Sequence, residues 1–367
     1  MNVPKLRFKD ADGREFPEWG LKELREVCKK IIDGTHFSPK SKEGSRRYLT
    51  SKNIRNSGID LLDCNYISEE EHKEIFKKCP VKMGDILLTK DGANTGNCCI
   101  NSLQEEFSLL SSVAVIDGMD DLVNNIFLLQ VFQSQFGINT INNAMAGQAI
   151  SRITLEKIKK FSFNFPVITE QTKIANFLTA IDEKITQFTQ KCDLLAQYKK
   201  GVMQQIFSQK LRFKDNDGRE FPEWEENELG KVCNPRQWAT ISSSQLCKTG
   251  YPVYGANGQI GYYHEYNHEL ETVTVTCRGA TCGEVNLISP QSYITGNSMC
   301  LDDINLQKLD RRFIYFAMKF RGFKDIISGS AQPQIVSSAI RKIKFENAYE
   351  LFSVFFILYS KINRIMR

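Results

Sequence analysis

The chain has 367 residues, more than one ordinary domain needs, so two or three compact units are expected. With 41% hydrophobic and 25% charged residues it reads as a folded globular chain, which excludes a disordered or fibrous protein. The formal net charge of +5 is compatible with a polyanionic partner without identifying one.

The N-terminal stretch MNVPKLRFKDADG has no apolar core of the secretory kind. The 11 cysteines are odd in number and contain no C-x-x-C pair, which points to reduced thiols. The longest apolar run, Leu351 to Tyr359, is far shorter than the roughly 20 residues that span a bilayer. A cytoplasmic protein with no membrane partner is expected.

Lys5 to Leu24 reads KLRFKDADGREFPEWGLKEL, and the same text returns with four changes at Lys210 to Leu229, an offset of 205 residues. A weaker echo closes each copy. Gly147, Ala149, Ile153, Ile158 and Phe163 match Gly329, Ala331, Ile335, Ile340 and Phe345 at a constant offset of 182. Chance does not produce this, so the chain holds two copies of one module with shared ends and divergent middles.

The first middle contains the turn-forming run Asp33 to Lys40, DGTHFSPK, followed by the basic residues Arg46, Arg47, Lys52 and Arg55. A strand-like run, Gly84 to Thr89, leads into the loop Lys90 to Asn97, KDGANTGN. From Thr169 to Phe207 there is no Pro and one Gly, and Thr169 is the expected N-cap. Ile174, Leu178, Ile181, Ile185, Phe188, Cys192 and Leu195 alternate by four and three, a heptad seam on a helix on the order of 55 Å long. Its polar remainder predicts an exposed rod that spaces the modules. In the second middle, Tyr251 to Tyr263, YPVYGANGQIGYY, reads strand–turn–strand, followed by the strand Thr272 to Thr276 and the loop Arg278 to Gly283.

Asn, Gln and Arg can pair bidentately with base edges, and Lys and Arg can hold phosphates. The candidate DNA-contacting residues are therefore Thr35, His36, Lys40, Lys90, Asn94, Thr95, Gln148, Ser151 and Arg152 in the first module. In the second they are Asn257, Gln259, Arg278, Thr281, Gln332 and Gln334. For any one of them taken alone a solvated turn is the better explanation; recurrence in two modules joined by a spacer carries the assignment. His264 to His268 fits H-E-x-x-H, but that zinc motif works only on a helix, and here it lies between strand-like runs. No metal and no cofactor is expected.

Across Pro4 to Phe345 the chain resembles the specificity subunits of type I restriction-modification systems. The resemblance rests on the repeated LRFKD and DGREFPEW openings, DGTHFSP, GDILLTKDGANTG, EQTKIANFLTAIDEKI, YPVYGANGQIGYY, CRGATCGEV and ITGNSM. It implies an α+β fold: two mixed α/β target-recognition domains joined by a long coiled-coil-type spacer helix in a pseudo-two-fold repeat. The implied boundaries are 1–165, a spacer helix at 166–208, 209–345, and an atypical short C-terminal helix at 346–367. Each recognition domain would read one half of a bipartite, asymmetric double-stranded DNA site. The helix face Ile174, Leu178, Ile181, Ile185, Phe188 and Leu195 would dock methyltransferase (modification) subunits, and restriction/translocase subunits would join the complex.

The chain itself would be non-catalytic. It contains no G-x-x-x-x-G-K-[ST] loop, no N/D-P-P-Y/F tetrapeptide and no P-D dipeptide. After Phe345 it departs from the family, because no second P-x-x-x-E-Q-x-K-I-A helix follows. Instead Leu351, Phe355, Leu358, Ile362 and Ile365 keep a four–three spacing. A surrogate helix, a truncated or inactive subunit, and a stand-alone DNA-binding protein all stay open on the sequence.

Overall fold

The computed structural model describes residues 7–41, 43–145, 152–215, 217–306, 309–329 and 331–347. Gln148, Ser151 and residues 348–367 of the proposed C-terminal helix lie outside the described residues, and Glu346 and Asn347 belong to a strand instead. The fold is α+β and divides into two compact units, Met1–Thr189 and Gln190–Arg367.

In the first unit the central sheet has the spatial order Cys28–Asp33, Val113–Gly118, Ile86–Thr89, Cys98–Ile100, antiparallel throughout. Its two inner strands, ILLT and VAVIDG, are buried on both faces, which is why they read as unbroken apolar runs. Alternation sorts their side chains. Ile86, Leu88, Ala114 and Ile116 pack with Phe127, Phe132 and Ile158, whereas Leu87, Val113 and Val115 pack with Leu49, Ile54 and Leu109. A one-residue slip would exchange the two sets, so both cores pin the register. A smaller sheet joins Asn65–Ile67, Arg46–Leu49 and Ser108–Leu109, the last pair parallel.

The second unit repeats this frame. Its central sheet is Asn234–Gln237, Ser298–Asp302, Thr272–Thr276, Val285–Ile288. Here too a strand, Tyr251–Gly255, runs parallel to Tyr293–Ile294. Its other neighbour differs. In the second unit Gly258–Tyr263 returns at once as a hairpin, whereas in the first the partner Asn65–Ile67 comes later in the chain and leads into the helix Glu69–Lys78. The packing helices also correspond. Asn124 caps Asn125–Gln133 by accepting from Ile126 N and Phe127 N, and Asp310 caps Arg311–Arg321 by accepting from Arg312 N and Phe313 N.

The repeated sequence ends meet in space within each unit. Gly20–Glu23 pairs antiparallel with Ser162–Phe165, and Glu225–Glu228 pairs with Lys344–Asn347. Each module thus closes its own ribbon.

The long helix runs Ile168–Phe207, 40 residues. It opens one residue ahead of the expected cap. Val167 O already accepts from Glu170 N and Gln171 N, so Thr169 lies inside the first turn. Glu170, Gln171 and Ala175 are buried in the first unit, and from Ile181 to Leu194 every side chain is exposed.

Candidate nucleic-acid interface

In the first unit, strand register sets which loops converge. Asp33 pairs with Ala114, Val113 with Thr89, and Leu88 with Cys98, so the segments 33–36, 90–97 and 110–112 all leave the same end of the central sheet. Gly34 passes against the 109–110 backbone so closely that an added Cβ would stand 2.0 Å from Leu109 O, and only glycine fits. Thr35 N donates to Leu109 O, and Ser111 N donates to Thr35 O. The Thr35 hydroxyl accepts from Phe37 N, which leaves Phe37 81% exposed beside the exposed His36.

The loop after Thr89 is held as firmly. Thr95 donates its hydroxyl proton to Gly92 O at 2.6 Å, and Asn94 Nδ2 donates to Ser51 O at 3.3 Å. Asp91 bridges to Arg152, whose Nε lies 3.7 Å from Asp91 Oδ2. Thr35, His36, Lys90, Asn94, Thr95 and Arg152 therefore meet at one sheet end. Lys40 sits apart, where its backbone N–H and that of Ser41 donate to Glu71. The Ser41 hydroxyl bond to Glu71 leads a set of contacts that outweighs burial and holds that carboxyl below its usual range.

Lys90 differs from the surface cation expected of a phosphate contact. Its residue is 2% exposed, and its Nζ is 3.0 Å from Asp33 Oδ2, while His36 Nε2 stands 3.4 Å from Asp33 Oδ1. The basic run that follows is likewise paired: Arg46 with Glu69, Arg47 with Glu105, Lys52 with Asp63 and Arg55 with Asp60.

The second unit gathers the equivalent loops. Arg278 bridges to Gln334, Gly279 N donates to Pro333 O, and Ile335 N donates to Cys277 O. Thr281 Oγ1 lies 3.2 Å from Ala256 O and 3.0 Å from Asn257 Oδ1, tying the loop to the hairpin tip. Asn257, Arg278, Thr281 and Gln334 are thus neighbours. Gln259 is exposed on the returning strand, and Gln332 is exposed in the loop before Gln334. The charges are redistributed between the modules. Where the first unit bridges Asp91 to Arg152, the second bridges Arg278 to Gln334. Arg278 is exposed and, among the described residues, in no ion pair.

Sequence reasoning missed a polar network elsewhere in the second unit, around the far end of the strand Ser298–Asp302. Asp302 Oδ2 accepts from Arg236 Nε at 2.7 Å and Trp238 Nε1 at 2.9 Å, and Oδ1 lies 3.1 Å from His268 Nε2. Burial works to raise the Asp302 pKa, but these bonds overcome it and hold the carboxyl below its ordinary range. His268, Cys300 and Asp302 have ligand atoms within 4.8 Å of one another. Both Asp302 oxygens and His268 Nε2 are already spent within the protein, however, which suits a structural charge network better than a metal seat. Residues 264–268 are not helical, and His264 is exposed where His268 is buried.

On the long helix, Ile174 packs into the first unit's core and Leu178 and Leu195 are half-buried. Ile181, Ile185 and Phe188 are exposed, Phe188 by 64%, and so are Phe177, Leu194 and Tyr198, which the heptad spacing did not single out.

Comparison with known proteins gives one answer. The profile of the type I restriction modification DNA specificity domain matches residues 17–195 and again 222–346. The MjaVIII type I restriction enzyme specificity subunit of Methanocaldococcus jannaschii is 23% identical over 252 residues, 66% of this chain and 56% of the relative. The EcoprrI specificity subunit of Escherichia coli is 25% identical over 141 residues, 37% of this chain and 34% of the relative. The matched region thus spans about half the length of the archaeal relative and a third of the bacterial one. Among solved structures, the type I restriction-modification S subunit from M. genitalium superposes with a TM-score of 0.63 at 18% identity, covering 99% of this chain and 93% of its own. A chain from a structure of the assembly and conformational transition of the type I system gives 0.55 at 15% identity, covering 96% and 91%. Two matches to one domain profile, on two units with one strand order, place the chain in the type I restriction-modification DNA specificity family.

Proposed function

We propose that this protein is the DNA-reading component of a type I restriction-modification complex and performs no chemistry itself. Each unit would read one half of a bipartite site in double-stranded DNA with the loops at the end of its central sheet. One observation carries this reading: equivalent loops converge on equivalent sheet ends in both units, yet they bring different side chains there. A shared frame holds two readers in place, and different side chains give them different targets.

The exposed apolar residues of the long helix, Ile181, Ile185 and Phe188, are assigned to docking methyltransferase subunits, through which restriction/translocase subunits would join. Among the described residues no helix is long and apolar enough to cross a membrane. The test is to map methylated adenines in cells with and without the gene. Loss of methylation at one two-part motif supports the proposal, and an unchanged methylome refutes it.

A further inference from the structure

We infer that Lys52 and Arg55 are phosphate contacts of the first unit, and that Asp60 and Asp63 form an exchangeable latch over them that the DNA backbone displaces. The inference rests on the DNA-reading proposal and extends it from base edges to the sugar–phosphate chain.

The two cations ride on a segment fastened to the loop 90–97. Ser51 O accepts from Asn94 Nδ2 at 3.3 Å, Ile54 O accepts from Asn97 Nδ2 at 3.2 Å, and Ser51 N donates to Ser112 Oγ at 3.1 Å. The hairpin that follows, Ile54–Arg55 with Gly58–Ile59, is pinned in turn. Cys98 N donates to Asn56 Oδ1, and Gln133 Nε2 donates to Asn56 O. The backbone of Lys52 and Arg55 is therefore fixed relative to the convergent loops of this unit, as a contact that sets register on the duplex requires.

Their partners come from one short loop with the same spacing. Asn53, buried between the two cations, donates from Nδ2 to Asp60 O at 3.0 Å and to Asp63 O at 3.1 Å. The loop so held brings Asp63 Oδ2 to 2.9 Å from Lys52 Nζ and Asp60 Oδ2 to 3.7 Å from Arg55 Nε. Cations three residues apart thus face carboxylates three residues apart. These pairs open easily. The Lys52 and Arg55 side chains are 44% and 45% exposed and that of Asp63 is 85% exposed, a setting in which an ion pair adds little stability. The Arg55 contact is also longer than a hydrogen bond. Arg46, close by, is held differently, gripping Glu69 with two bonds of 2.6 and 3.1 Å.

A phosphodiester offers each cation a charge-assisted acceptor in place of its carboxylate, and the field of the duplex repels the carboxylates it releases. The second unit has no such device. Leu110 N donates to Leu49 O in the first unit, and Thr295 N donates to Tyr254 O in the second, so the parallel ladders match Leu49 with Tyr254. Lys52 then falls at Asn257, in the hairpin tip Gly255 to Gly258, which carries no charge. This exchange of acid for phosphate belongs to the first half of the site alone.

The test follows binding of fluorescent duplexes by anisotropy over a series of salt concentrations, using the full-length protein purified with any methyltransferase subunits it carries. One duplex holds the two-part motif whose methylation depends on this gene, and a second holds the same bases scrambled. Lys52→Gln and Arg55→Gln should each weaken binding to both duplexes and make the slope of log affinity against log salt shallower by about 1, with the preference for the motif unchanged. Asp60→Asn and Asp63→Asn remove charge but keep the acceptor oxygens, including the one that Leu62 N reaches on Asp60. They should act in the opposite sense, with tighter binding and a steeper slope. Slopes that stay at the wild-type value in all four variants would overturn the inference, and so would acid variants that bind no more tightly while the motif is still preferred. Failure of the DNA-reading proposal looks different: the wild type itself would not prefer the motif, and the inference would fall with it.

Discussion

Lys90 and Asp33 form a buried ion pair, 3.0 Å apart, beneath the loops that converge at the end of the first unit's central sheet. Strand register places Gln237 and Cys277 at the corresponding positions of the second unit, where Gln237 Nε2 lies 3.1 Å from Cys277 Sγ. One frame therefore accepts a charged pair in one copy and a neutral pair in the other.

Removing one member of the charged pair strands the other in a dry site. Asp33→Ala or Lys90→Met should each destabilise the first unit by about 3–5 kcal/mol. The double change Asp33→Gln with Lys90→Cys, which imports the neutral pair, should recover most of the loss. Urea unfolding of the three variants checks this, and a double variant no more stable than the singles would refute the equivalence of the two positions.

The Asp302 network gives a pH signature. Its carboxyl titrates below the ordinary range in the folded state, so its contribution is complete above the unfolded pKa of roughly 4 and disappears as pH falls through the lower folded value. Asp302→Asn should cost about 1–3 kcal/mol near neutrality. That difference should shrink on acidification from pH 5 to 3, as read from thermal unfolding of wild type and variant across the range. A gap that is constant or widens would contradict the sign.

Arg278 is exposed and, among the described residues, in no ion pair, whereas Arg152 shares its charge with Asp91. Arg278→Ala is expected to relax recognition in one half of the bipartite site by about 1–3 kcal/mol and leave the other half intact. Arg152→Ala should weaken the opposite half. Adenine-methylation mapping in cells carrying each variant reads the halves separately.

On the long helix, Ile185→Asp and Phe188→Asp alter side chains that stand in solvent. Both variants should unfold within about 0.5 kcal/mol of wild type. Each should also lose co-purification with methyltransferase subunits. Retained co-purification would move the docking face elsewhere.

Much of the frame was legible because its signals are local or repeated. The duplicated ends become paired ribbons, the unbroken apolar runs at 86–89 and 113–116 become doubly covered strands, and the four–three spacing becomes one helix of 40 residues. The limits were equally physical. Residue type does not reveal burial, so Lys90 looked like a surface cation, and only the fold brings Asp33 beneath it. The Asp302 network joins Arg236, Trp238 and His268 across long sequence separations, and no periodicity or motif marks such an encounter. The one motif that did include His268 paired it with the wrong neighbour, His264. Helix periodicity also could not tell that Ile174 belongs to a domain core while Phe177, three residues on, faces outward.

Because the first and last strands of each module lie side by side, everything between them enters and leaves through a single doorway. A cassette cut at those strands could be replaced by another of different length and side chains without moving the rest of the protein.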